Sequence, residues 1–158
     1  MTKKYCDIVF SEECVDFDKK LGYNEVYLES DFKIIKGGSL ARNQKAVRSK
    51  IDILLDPTSA RGLEFDSAVA QIAHDNDITI AFSLASILDS RGLDRITLLR
   101  NIKFVIQLCK KKNAEVALIT GARDVYEVRD PLDLVSLGIM LGLTRPQAVW
   151  AVSEAIRK

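Results

Sequence analysis

The sequence predicts one α/β domain over residues 1–158, built on a parallel sheet, and three observations predict it. Short runs rich in β-branched residues alternate along the whole chain with segments of helical period. Several of these runs are almost continuously apolar, as in strands covered on both faces of a parallel sheet. No long linker, internal repeat or low-complexity tract breaks the alternation, and 158 residues at 47% apolar content suffice for one core.

The strands are read from six runs: YCDIVF (5–10), EVYLES (25–30), FKII (32–35), IDILLD (51–56), ITIAFSL (78–84) and EVALITG (115–121). Helices are placed between them by capping and period. Ser39 precedes a short helix containing Arg42, Lys45 and Val47, and Asp66 precedes one through Val69, Ile72 and Ala73. Over residues 93–112, Leu98, Leu99, Ile102, Val105, Ile106 and Cys109 keep one apolar face, while Arg100, Lys103, Lys110 and Lys111 fall elsewhere. Asp130 before Pro131, with Gly142 as a stop, predicts a helix over residues 131–141. Thr144 and Gln147 have the spacing of a capping box for a last helix ending near Ile156. The interval from Glu29 to Lys33, where the second strand gives way to the third, leaves no space for a helix.

Composition excludes several function classes. The longest apolar candidate, ITIAFSLASIL, falls short of the roughly 20 residues of a membrane span. The N-terminus turns acidic before any signal-like apolar core, so the cytoplasm is the expected location. Cys6, Cys14 and Cys109 are odd in number and widely spaced, which fits reduced thiols better than a disulfide framework or zinc site. His74 is the only histidine and reads as an ordinary surface residue, too little for the usual metal cluster or a nucleophile with its base. A carboxylate-only magnesium site from Asp7, Glu29, Asp31 and Asp56 is the less favoured reading, against loop capping by the same residues. Gly37 and Gly38 form no nucleotide-binding motif, and a tight turn is the simpler account of the pair.

The net charge of +1 hides a segregated distribution. Residues 32–51 hold six basic and no acidic side chains, and residues 91–112 hold seven and one. Such blocks can gather an anionic partner on one face. Arg61, Arg91 and Arg123 each fall in a loop after a strand. Parallel α/β folds collect such loops at the carboxyl edge of the sheet, where an arginine fork suits phosphate. Pairing with Asp56, Asp89 or Asp124 to brace the loops explains them equally well.

Four segments then carry a resemblance: IIKGGSLARNQKAV, IDILLDP, ITIAFSLASILDSRGLDR and ALITGARDVYEVRDPLDLVSLGIMLGL. In this order they resemble the ribonuclease P protein component 3 family over about Asp7 to Val152, the last two being the most specific. The resemblance implies a TIM-barrel-like fold related to PHP-type phosphoesterases, here abridged or incompletely closed, without a working metal cluster. It implies a protein subunit of the endoribonuclease that removes the 5′ leader of precursor tRNA. The ribonuclease P RNA performs that cleavage with Mg2+; this chain supplies no catalytic residue, metal ligand or cofactor. Implied partners are that RNA, precursor tRNA within the complex, a small ferredoxin-like subunit and other ribonuclease P proteins. Carried onto this sequence, the implied RNA contacts are Arg42, Lys45, Arg48, Arg61, Arg91, Arg95, Arg123 and Arg129. The alternatives are a metal-dependent phosphoesterase using the strand-end carboxylates, and a structural subunit whose main partner is another protein.

Overall fold

The computed structural model describes residues 4–156. Among the described residues, six strands and seven α-helices run in the order β1 (Cys6–Val9), α1 (Glu13–Leu21), β2 (Glu25–Leu28), β3 (Ile34–Lys36), α2 (Leu40–Val47), β4 (Ile53–Leu55), α3 (Ser67–Asp75), β5 (Thr79–Ser83), α4 (Leu84–Asp89), α5 (Gly92–Lys112), β6 (Val116–Ile119), α6 (Pro131–Met140) and α7 (Arg145–Ala151). All strand pairs are parallel, in two ladders, β1-β2 and β3-β4-β5-β6. The ladders meet beyond the carboxyl ends of β1 and β6, where Phe10 N–H donates to the Ala122 carbonyl at 2.8 Å and Gly121 N–H to the Ile8 carbonyl at 3.1 Å. The opposite side, between β2 and β3, is crossed by a single 3-10 turn over Glu29–Asp31 and carries no ladder. The fold is therefore a curled, incompletely closed barrel.

Side chains alternate across the strands, as the two-residue period requires. Cys6, Ile8, Ile53, Leu55, Ala81, Ala117 and Ile119 fill the interior together with Ala155 and Ile156. Leu54, Ile80, Phe82, Val116 and Leu118 face the helices and form the larger core with Val69, Ile102, Val105, Ile106 and Leu134. Small alanines on β5 and β6 let the interior close with few residues. The segment after α7 covers the amino ends of the strands: Cys6 N–H donates to the Val152 carbonyl at 2.9 Å, and the Thr79 hydroxyl to the Ala155 carbonyl at 3.2 Å.

Every cap expected from the sequence forms. Ser39, Asp66 and Thr144 accept from the amides of Arg42, Val69 and Gln147, and the Gln147 side chain closes the box on Thr144. Gly142 ends α6 at φ 100°, a conformation open to glycine. The last helix stops at Ala151 rather than near Ile156, because Val152 to Ile156 turn inward to plug the barrel. Two helices lie outside the expected set, α1 and α4. The α4 segment, LASILD, continues the apolar run of β5, so its period is hidden in the sequence. The three cysteines are buried thiols outside any disulfide; burial pushes Cys14 up to about 11 and Cys109 up to about 12. Neither holds much thiolate at neutral pH.

Candidate nucleic-acid interface

The parallel topology brings the ends of β3, β4 and β5 to one edge, where a crevice of about 280 Å³ opens between Lys36, Gly37, Asp56, Thr58, Phe82 and Ser86. Its frame is Asn43, fully buried on α2. The Asn43 amide donates to the carbonyls of Pro57 at 2.7 Å and Glu64 at 2.6 Å, and its oxygen accepts from Gly38 N–H at 3.2 Å. Gly37 is required by close approach: a Cβ there would lie 2.4 Å from the Pro57 Cα and 2.7 Å from Asn43 Oδ1. Gly37 N–H already donates to the Leu55 carbonyl at 2.6 Å, so the glycine pair forms a fitted turn and its amides are occupied.

Asp56 sits in the floor with φ 46°, in the left-handed region that aspartate tolerates better than most residues. Its carboxylate accepts from Ser83 N–H at 2.9 Å and from the hydroxyls of Ser83 and Ser86, each at 2.7 Å. Burial pushes this carboxyl above the usual range, opposed by those hydrogen bonds and by the charge of Lys36. The network locks the turn that follows β4 against the start of α4.

The eight cationic residues expected to meet RNA separate into distinct settings. Arg61 and Arg91 are exposed in the loops after β4 and α4, next to the crevice residues Ala60 and Ser90, and their side chains have no partner among the described residues. Arg42 lies beside Gly38 on the same rim, its Nε held 2.8 Å from the Lys36 carbonyl. Lys45 and Arg48 continue along the exposed side of α2 toward the other end of the barrel. Arg95 turns back on the carboxyl end of α4, donating to the carbonyls of Ile87 at 3.1 Å, Leu88 at 3.0 Å and Ser90 at 2.8 Å. Arg129 binds the carbonyls of Tyr126 and Val128, each at 2.7 Å. Arg123 pairs with Asp89 at 2.9 Å and with Glu127.

Lys36 was not among the eight, yet it is exposed, ends β3 and lines the crevice. Its place at a strand end ahead of a glycine pair was the signal in the sequence. Asn43, Ser83 and Ser86 had no comparable signal, because polar residues of these types cap turns throughout the chain.

The strand-end carboxylates occupy separate environments: Asp7 is buried against Thr120, Asp56 is held by the serines, and Glu29 and Asp31 are exposed in the 3-10 turn. Among the described residues, no three His, Cys, Asp or Glu side chains cluster in a way that could hold a metal ion. His74 is exposed, with Nδ1 2.8 Å from the Asn113 carbonyl. A larger cavity of about 480 Å³, beside Trp150 and Leu143, lies at the amino end of β6, away from the loops that carry the arginines. Among the described residues, no helix is long and apolar enough to cross a membrane.

The chain is 31% identical over 129 residues to ribonuclease P protein component 3 of Methanosarcina acetivorans, covering 81% of this chain and 54% of that protein. It is 34% identical over 115 residues to the protein of that name from Thermococcus kodakarensis, covering 72% and 52%. The chain thus spans about half the length of the curated relatives it matches. The fold is shared with a chain of archaeal ribonuclease P solved with mature tRNA, at TM-score 0.69 and 23% identity over 98% of this chain and 67% of that one. A prolidase solved with N-methylphosphonate-L-proline has the fold at TM-score 0.58 and 8% identity, over 89% of this chain and 34% of its own. The family described as RNase P subunit p30 matches residues 8–158, and the chain belongs to that family.

Proposed function

We propose that this chain is a protein subunit of ribonuclease P, which binds RNA and partner proteins and assists the catalytic RNA in removing the 5′ leader of precursor tRNA. Family membership across residues 8–158 is the observation that carries the reading. The carboxyl-edge crevice supports it, because Lys36, Arg61 and Arg91 present cations without close ion pairs around a rigid floor. Phosphate oxygens are the fitting ligands for such a rim, and a structured RNA helix is met through backbone and shape rather than base edges.

On this reading the endonuclease is the assembly, working in the cytoplasm. Mg2+ serves the RNA component; this chain contributes no catalytic group. Its partners are the ribonuclease P RNA, precursor tRNA within the complex, a small ferredoxin-like subunit and other proteins of the particle. Arg42, Arg61, Arg91 and Lys36 form the primary contact, with Lys45 and Arg48 extending it along α2. Arg95, Arg123 and Arg129 hold the loops in place while keeping part of their charge toward solvent.

The test is the salt dependence of binding to the ribonuclease P RNA. Each of Arg61→Ala and Arg91→Ala is expected to lower the slope of log affinity against log salt by about 1, the loss of one phosphate contact. Unchanged slopes in both variants would move the RNA contact elsewhere and favour a subunit whose main partner is protein.

A further inference from the structure

Asp7, Asp18 and Tyr23 lie deep in the protein, at 0%, 0% and 3% exposure, and take no part in the crevice. Asp7 alternates with Cys6 and Ile8 along β1 and faces away from the barrel interior. One of its oxygens accepts from Thr120 N–H at 2.7 Å and the other from the Thr120 hydroxyl. On α1, neither oxygen of Asp18 meets a donor among the described residues, and the Tyr23 hydroxyl has no partner there either. The group within hydrogen-bonding range of the Asp18 carboxyl is the carboxyl of Asp7.

Two buried carboxyls that neighbour each other can bond only if one of them carries a proton. Among the described residues no side chain or backbone group donates to the Asp18 oxygens. Thr120 flanks Asp7; Cys14 and Tyr23, which adjoin the pair, have Glu13, Asp124, Glu127, Asp130 and Asp133 as their further charged neighbours. All are neutral or acidic. Lys19 and Lys20, the basic residues of α1, are exposed on its outer side. Two neighbouring like charges cannot both persist in a buried site without a donor between them.

We propose that Asp7 and Asp18 share a single proton, forming a buried acid pair that fastens α1 to β1 and to the loop after β6, and that loss of this proton releases the fastening. The proton supplies the missing donor, and the Thr120 hydrogen bonds steady the negative charge that remains. Because Thr120 lies three residues before Arg123, the pair sits beneath the loop that carries the Arg123 ion pairs. The pair titrates as a unit. Burial holds both carboxyls above their usual range, so the folded state binds more protons than the unfolded chain once the pH exceeds about 4. The contribution to stability is full below that pH and is lost as the pH rises through the raised pKa of the pair.

The test compares the full chain with Asp18→Asn, whose amide offers Asp7 a permanent N–H donor. Stability of the wild type by urea unfolding is expected to fall as the pH rises above the ordinary carboxylate range, and Asp18→Asn to flatten that fall. Asp56, the other buried carboxyl with a raised pKa, is removed as a contributor by placing both chains in an Asp56→Asn background. Equal pH slopes in the two chains would overturn the proposal. So would stabilisation of the wild type, but not Asp18→Asn, by added magnesium or potassium chloride, which would replace the proton with a bound cation. Should Asp18→Asn not fold, aspartate-carboxyl ¹³C resonances of the Asp56→Asn chain decide. A coupled pair titrating above the ordinary carboxylate range supports the proposal; titration of every aspartate near or below about pH 4 overturns it.

Discussion

Arg123 and Asp89 stand 34 residues apart in sequence and meet at 2.9 Å, tying the loop after β6 to the end of α4. Glu127 holds the same guanidinium from within that loop, and Arg123 N–H donates to Glu127 at 2.8 Å. The carboxyl edge is therefore assembled by contacts between loops, each anchored on a different strand.

Arg123→Ala is expected to cost about 1 kcal/mol or less, because the pair with Asp89 is half exposed and screened by water. A double-mutant cycle with Asp89→Ala measures it. Both Asp89 and Glu127 are held below their usual pKa by the guanidinium. Their contribution is therefore present above about pH 4 and is lost as the pH falls through the lowered values. Arg123→Ala should flatten this acid limb, and an unchanged limb would show that the clasp contributes nothing.

Arg95→Ala should be costlier, on the order of 2 kcal/mol, since it strips a charged donor from the carbonyls of Ile87, Leu88 and Ser90 together. Arg95→Lys should recover only part of this, because a point charge cannot reproduce the fork. The same junction leads into Arg91, so RNA affinity should fall in parallel with stability. Urea unfolding and RNA titration of both variants check the two expectations.

Asn43→Ala leaves the Gly38 amide and the Pro57 and Glu64 carbonyls without their buried partner and is expected to cost roughly 2 to 4 kcal/mol. Gly37→Ala forces a methyl group against Pro57 and should cost about 1 to 3 kcal/mol. Thermal or urea unfolding reads both. A neutral outcome at either position would mean that the turn after β3 can move.

Thr144→Ala removes the box that starts α7 and is expected to cost about 1 kcal/mol, with Thr144→Ser nearly neutral. Because the residues after α7 plug the barrel, amide exchange should rise at Cys6, whose N–H donates to Val152, in step with the loss of stability.

The strands, their parallel pairing and the caps at Ser39, Asp66 and Thr144 were legible because each rests on local chemistry: β-branched runs, continuous apolarity and side-chain oxygens at fixed offsets. Helix α1 escaped because its apolar face is thin: Cys14 is its only fully buried apolar residue, while the buried Asp18 reads as a polar position. The cationic rim was legible as residue types in loops. Which cations stay free was not, since that depends on contacts such as Arg123 with Asp89 and Arg95 with Leu88 that join residues from different elements. The acid pair of Asp7 and Asp18 was equally hidden, as two aspartates 11 positions apart carry no pattern until β1 and α1 fold together.

The most direct measurement of the central claim is reconstitution of precursor-tRNA cleavage at limiting magnesium, using the cognate ribonuclease P RNA and its other protein subunits with and without this chain. The expected result is a clear rate increase on adding the chain and no cleavage by the chain alone. No change in an otherwise active assembly would contradict the subunit role, and cleavage by the purified chain with divalent metal would return the strand-end carboxylates to the centre of the mechanism.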